Sequence, residues 1–252
     1  MAGMNVLSVC DQPEFSVRPA ATGTIRSCGN GRAGFQRSVS LAGPAGRLEA
    51  LLNEGASDAP LAALVCHPHP LGGGTLHNKV VYHAIKVFNG PEWGFQLPVL
   101  RFNFRGVGLS HGQHHGEAEI DDVEAALAWL ENELGLPIVA AGFSFGAAMT
   151  LKACYRKGRV RKNIRALATL GLPMEAAGRN YTYPFLEGCR LPKLFLSGER
   201  DEFGPRASLE RVAASAAEPK QLIFIPGADH FFKGQLGPMQ NALAGWLKEQ
   251  MA

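Results

Sequence analysis

The chain has 252 residues, 46% hydrophobic and 19% charged, enough apolar material to bury a substantial core without disulfides or metals. A net charge of +3, with no stripe of Lys and Arg, offers nucleic acid little to hold. Five scattered cysteines without a CxxC spacing, no apolar run of membrane length and no basic-then-apolar leader give the expectation of a cytoplasmic protein with free thiols and no membrane partner.

Residues 1–33 show no sustained period and are expected to be a poorly ordered extension, with one domain over residues 34–252. Phe35 to Leu41 and Arg47 to Leu52 read as an antiparallel hairpin across a Gly- and Pro-containing turn. Leu61 to Cys66 is all apolar, as in a strand covered on both faces. The turn-rich loop His67-Pro68-His69-Pro70-Leu71-Gly72-Gly73-Gly74 follows, then a helix from about Asn78 to Val87. A strand over residues 98–104 feeds Arg105-Gly106-Val107-Gly108. From Glu117 to Leu134, Ile120, Val123, Leu127, Leu130 and Leu134 recur at helical spacing, and Glu117, Glu119, Asp121 and Asp122 load the helix's positive end.

Ile138 to Phe143 is the next strand, and a helix runs from Ser144 to about Arg156. The basic run Arg156 to Lys162 reads as a solvated helix end. A strand over residues 164–170 precedes an aperiodic segment, 171–190, expected to form a small or minimal lid. Strand 192–196, helix 208–216, strand 221–225 and a helix over residues 239–250, with Leu243, Trp246 and Leu247 inward, complete the chain. Alternating β and α units of this kind predict an α/β fold: a mainly parallel, doubly wound sheet with helices on both faces.

In such a sheet the loops at the C-terminal strand ends gather on one edge. Two Gly-x-Ser-x-Gly segments lie near that edge, at 108–112 and 142–146. Ser110 leads into a polar, glycine-punctuated loop and is read as a loop residue. Ser144 stands between a strand and a helix, where a sharp turn exposes its hydroxyl; as pure architecture it would be a helix cap. A serine nucleophile needs a base in hydrogen-bond reach and a carboxylate to orient that base. His230 is the only histidine after Ser144 and follows the strand at 221–225. Asp201 follows the strand at 192–196; Glu199, Glu202 and Asp229 are its competitors, and an Asx-type turn is its purely structural reading. The order Ser, Asp, His is the one expected of a hydrolase triad on this kind of sheet. An oxyanion would need two N–H donors: Phe145 supplies one, and Leu71, with His69 as runner-up, the other, because Pro68 and Pro70 have none.

Taken together, the loop His67 to Gly74, Asn78-Lys79-Val80-Val81, the run Arg101 to Gly112, Gly142-Phe143-Ser144-Phe145-Gly146, Asp201 and Gly227-Ala228-Asp229-His230-Phe231-Phe232 resemble the α/β-hydrolase superfamily. Within it the chain is similar to the small bacterial hydrolases related to dienelactone hydrolase, over about residues 35–250. The resemblance implies a Ser–Asp–His hydrolase of small-molecule esters without a cofactor. Dienelactone hydrolase itself has a cysteine nucleophile where this chain has Ser144, so its lactone substrate does not carry over.

His69, Arg105, Met174, Tyr181, Tyr183 and Phe185 are the candidate pocket residues, with Arg105 either binding a substrate carboxylate or anchoring its own loop. His67-x-His69 and His111-x-x-His114-His115 have no interleaved carboxylate or cysteine at metal spacing, so no metal is expected and His111, His114 and His115 are read as facing solvent. The expected activity is hydrolysis of esters with small to medium acyl chains. A peptidase or acyltransferase with the same triad, and a non-catalytic binding protein, are the alternatives.

Overall fold

The computed structural model describes residues 35–156, 159–176 and 178–251; the extension expected over residues 1–33 lies outside them. The sheet begins with a hairpin, β1 (Gln36–Gly43) and β2 (Gly46–Asn53), paired antiparallel with Gly43 opposite Gly46. The strands β3 (Ala62–Cys66), β4 (Val99–Phe102), β5 (Ile138–Phe143), β6 (Ile164–Leu170), β7 (Lys193–Gly198) and β8 (Lys220–Ile225) follow. Their spatial order is β1-β2-β4-β3-β5-β6-β7-β8. β2 pairs antiparallel with β4, and every pair from β4 through β8 is parallel.

β3, β5 and β7 are buried along their whole lengths, so their apolar runs do not alternate. Helices cover both faces. α1 (Lys79–Asn89) and α5 (Leu236–Met251) close one, where Val80, Val81, Phe88, Leu243, Trp246 and Leu247 meet Val65 and Phe143. α2 (Glu119–Leu134), α3 (Phe145–Cys154) and α4 (Arg206–Ser215) close the other, over Leu64, Leu100 and Phe195. α3 is apolar nearly all round and only Lys152 escapes burial, as expected of a helix pressed between sheet and outer layer.

The strand and helix spans expected over residues 35–250 match these elements to within a few residues. Of the small or minimal lid expected at 171–190, the structure shows the minimal form. That segment folds into a two-residue-per-strand hairpin, Glu175–Ala176 with Arg179–Asn180, and a 3-10 turn at Pro184–Glu187. Its Leu172, Tyr181, Tyr183, Leu186 and Cys189 sink into the core. The aromatic side chains that defeat any simple period are there to fill the core, which a swinging flap cannot do. The basic run is not the helix end expected: α3 stops at Cys154, and Tyr155–Arg156 pairs antiparallel with Arg159–Val160, while Arg156 pairs with Asp121 and Glu124, and Arg161 with Glu131.

Candidate active site

β5 delivers Ser144 at its C-terminal end in a backbone conformation few non-glycine residues adopt, φ 53° and ψ −120°. Two glycines make the turn possible. A Cβ on Gly142 would lie 2.5 Å from the Gly146 backbone, and one on Gly146 would lie 2.4 Å from the His67 carbonyl oxygen. Gly146 thus lets α3 start directly against the end of β3. Ser144 does not cap α3 with its side chain, so its hydroxyl is free for another partner.

That partner is His230, whose Nε2 lies 2.9 Å from Ser144 Oγ. The other ring nitrogen, Nδ1, lies 2.9 Å from both carboxylate oxygens of Asp201. An ionised carboxylate only accepts, so Nδ1 carries the proton and Nε2 is left to accept from the serine hydroxyl. All three residues are buried. Asp201 also accepts from the Ser197 hydroxyl and from the backbone N–H groups of Phe203 and Gly204, at 2.8 to 2.9 Å. Burial alone would push its carboxyl up. The bonds and charge of His230, with those of Gly204 and Ser197, outweigh it and hold the carboxyl below the usual range. The Asx turn and the contact to the histidine are therefore one arrangement rather than rivals. Asp229 instead accepts from Lys233 N–H, and Glu199 from Gly227 N–H.

The His230 ring sits among Phe143, Phe203 and Phe231, with ring centroids 5.0, 4.7 and 5.2 Å away. Gly171 leaves room for it, since a Cβ there would come within 3.1 Å of the imidazole. Phe203 and Phe231 also line a cavity of about 260 Å³ over Ser144, together with Leu71, His69, Asn78 and Ala176. Sequence reasoning missed Phe203, Phe231, Asn78 and Ala176. The signal for the two phenylalanines was their position, each next to or two residues from a triad candidate.

Of the expected pocket residues, only His69 and the oxyanion candidate Leu71 line this cavity. Arg105 is spent elsewhere: its guanidinium makes a forked contact with the buried Asp122 at 2.7 to 3.1 Å, and its own N–H bonds the same carboxylate. Arg105 anchors its loop and is not a substrate clamp. Burial pushes the Asp122 carboxyl up, against the opposing pull of Arg105. Met174 and Ala176 border an adjoining cleft of about 620 Å³. Tyr183 is buried with its hydroxyl on the Pro173 carbonyl, Phe185 stacks on Tyr155, and Tyr181 backs a separate cleft beside Lys152 and Arg179. Met174, Tyr181, Tyr183 and Phe185 therefore do not line the cavity over Ser144; of their segment's described residues Ala176 alone reaches it, while Tyr181 and Tyr183 pack into the core.

Ser110 is held from both sides. Its hydroxyl donates to the Asn103 carbonyl at 2.7 Å and accepts from Glu49 N–H at 2.9 Å. His67 is equally committed: Nδ1 donates to the Pro68 carbonyl and Nε2 accepts from Phe104 N–H, so it has no lone pair for a metal. Burial lowers its pKa to about 4. His114, expected at the surface, is instead turned inward with Nδ1 2.8 Å from the buried Glu119 carboxylate, though not aligned for a hydrogen bond. The thiols of Cys66 and Cys154 are buried, and burial pushes Cys66 up to about 12, so neither is a competing nucleophile.

The sequence matches the α/β-hydrolase domain family over residues 95–241. The chain belongs to that family. It is 34% identical over 215 residues to an uncharacterized protein of Rickettsia prowazekii, covering 81% of this chain and 86% of that one. Among solved structures it is similar to an α/β serine hydrolase homologue from Coxiella burnetii, at 31% identity and a TM-score of 0.71 over 83% of this chain and 96% of the other. It is also similar to a lidless α/β serine hydrolase from Xanthomonas campestris, at 27% identity and a TM-score of 0.71 over 85% and 94% of the two chains. A dienelactone hydrolase from Anabaena variabilis shares the fold, with 18% identity and a TM-score of 0.70 over 86% of this chain and 99% of that one. Among the described residues no helix is long and apolar enough to cross a membrane.

Proposed function

We propose that this α/β hydrolase cleaves carboxylic esters of small to medium acyl chain through Ser144, His230 and Asp201. The observation that carries the reading is the continuous pair of contacts from Ser144 Oγ to His230 Nε2 and from His230 Nδ1 to Asp201. As Oγ bonds to the ester carbon, its proton passes to Nε2 and the carbonyl electron pair moves onto oxygen. That oxygen is met by the uncapped Phe145 N–H at the start of α3 and by Leu71 N–H. Collapse of this intermediate breaks the bond to the alcohol, which leaves with the proton from Nε2. Water then enters by the same route in reverse, giving its proton to Nε2 and releasing the acid and the free serine. Asp201, with its carboxyl held low, stabilises the imidazolium formed in each half.

The cavity supports a neutral, apolar acyl group: Leu71, Ala176, Phe203 and Phe231 form its walls, and Arg105 is turned away to Asp122. Each added methylene buried there contributes about 0.8 kcal/mol, roughly fourfold in kcat/KM, until the chain outgrows the space. The buried thiols fit a cytoplasmic setting. The test is a series of p-nitrophenyl esters of increasing acyl length, combined with fluorophosphonate labelling and peptide mapping. Label on Ser144 and a maximum at short to medium chains are expected. Label on Ser110, or none, sinks the mechanism; acyl transfer to an added alcohol in preference to water makes the protein a transferase.

A further inference from the structure

The loop between β3 and α1 is a 3-10 turn, Pro70–Gly72, with His69 as its N-cap. Its amides are almost all committed to backbone. Gly72 and Gly74 N–H bond the His69 carbonyl, and Gly73 N–H bonds the Pro70 carbonyl, at 3.0 to 3.1 Å. Leu71 N–H is different. It donates to a side chain, His69 Nδ1, at 3.2 Å, the long end of the normal range. The one amide of this turn held by a side chain thus belongs to a residue that, with His69, lines the cavity over Ser144.

The His69 ring is itself clamped. It packs edge-on against Phe145 and against His114, with centroids 4.9 and 4.8 Å away, and Phe145 is the residue whose N–H is proposed above as the other oxyanion donor. His114 is in turn held beside the buried Glu119, which also accepts from the N–H groups of His115 and Gly116. Accepting from Leu71 requires a lone pair on Nδ1, so the ring is neutral with its proton on Nε2, an atom that is buried and has no partner among the described residues. Burial lowers the pKa of His69 and keeps it in this accepting form at neutral pH.

We infer that His69 is a positioning residue for the oxyanion hole: its Nδ1 orders the Pro70–Gly72 turn through the Leu71 N–H, so that this amide is already fixed in place when negative charge develops on the carbonyl oxygen. The inference rests on the esterase reading above and deepens it. A 3.2 Å bond to a neutral nitrogen is easily outcompeted by an oxyanion, whose hydrogen bonds are charge-assisted and about twice as strong. An amide ordered in advance needs no reorganisation when the charge appears, and it meets that charge only in the transition state, so loss of the ordering should fall on kcat and not on KM.

The experiment separates the acceptor atom from the ring. In His69→Asn, Oδ1 can occupy the place of Nδ1 and accept from the amide two residues on, as Asn78 Oδ1 does from Val80 N–H at 2.9 Å in this same chain. In His69→Gln the carbonyl reaches the place of Nε2, and His69→Ala has no acceptor. All three lose the ring packing, so only the acceptor distinguishes them. The measurements are kcat and KM for a p-nitrophenyl ester, and the rate constant for fluorophosphonate labelling of Ser144. We expect kcat and the labelling rate to fall about tenfold or more in His69→Ala and His69→Gln. KM should stay within twofold, and His69→Asn should recover to within about threefold of wild type. Equal loss in the Asn and Gln variants, a loss confined to KM, or no loss in His69→Ala overturns the inference. If His69→Ala does not fold, the Asn–Gln pair still decides. A wild-type protein that takes no label at Ser144 refutes the esterase reading instead, a separate outcome.

Discussion

The chain carries the same five-residue pattern twice, and the two copies do opposite things. At Gly142 to Gly146 the serine is in a positive-φ turn with its hydroxyl on the imidazole of His230. At Gly108 to Gly112 the serine hydroxyl is locked between the Asn103 carbonyl and Glu49 N–H, tying the loop after β4 to β2. The glycines differ in the same way. Gly142 and Gly146 let a helix close onto a strand, whereas Gly108 gives its loop a left-handed residue beside the Glu49 and Asn103 side chains. A serine becomes available for chemistry when its neighbours leave its hydroxyl without a structural partner, and the pattern itself does not say whether they do.

Four predictions sharpen or break this contrast. The largest effect belongs to Ser144→Ala, which should lower kcat for ester hydrolysis by about 10⁴-fold or more with little change in melting temperature. Residual activity near wild type would show that the reacting group lies elsewhere.

Next comes Arg105→Ala, which strands the Asp122 carboxylate in the core. A loss of about 3–5 kcal/mol in urea unfolding is expected, while kcat/KM for neutral esters stays within a few-fold under native conditions. A selective loss with carboxylate-bearing esters would restore Arg105 to the substrate site.

The third concerns pH. His67 titrates near 6.5 when unfolded and about 4 when folded, so the unfolded chain binds the extra proton first. Its contribution is fully present above pH 6.5 and is lost as pH falls towards 4. The loss is about 3 kcal/mol at most. Unfolding free energies at pH 7, 5.5 and 4.5 should show it, and the slope should shrink in His67→Gln. An unchanged slope in that variant would assign the pH dependence to other groups.

The smallest effect is that of Ser110→Ala, about 1–2 kcal/mol in stability for two lost hydrogen bonds, with kcat unchanged. A collapse of kcat there would erase the distinction between the two motifs.

Much of the fold was legible in the sequence because its signals are local. The unbroken apolar runs of β3 and β5 require burial on both faces, and the three- and four-residue spacing in α2 requires one buried side. Glu119 and Asp122 were the exception within α2. Their charge suggests a solvated N-terminus, yet both are buried, because the loop after β4 supplies Arg105 and backbone N–H groups to pair them. The segment 171–190 misled for a related reason. Tyrosines and phenylalanines without a period look the same whether they line a pocket or fill a core, and only the neighbouring strands decide which.

By itself, the sequence determined the order of strands and helices, the placing of Ser144 at a strand-to-helix turn, and the presence of a carboxylate and a histidine at later strand ends. These follow from backbone sterics, burial periodicity and the rule that parallel strands present their C-terminal ends on one edge. Only the tertiary structure decided that Ser144, His230 and Asp201 stand at 2.9 Å contacts, that Phe203 and Phe231 wall the cavity, and that Arg105 and Ser110 are spent on internal bonds. Each of those outcomes is a competition for partners between residues far apart in the chain, and such competitions are settled by distance and alignment in the folded molecule.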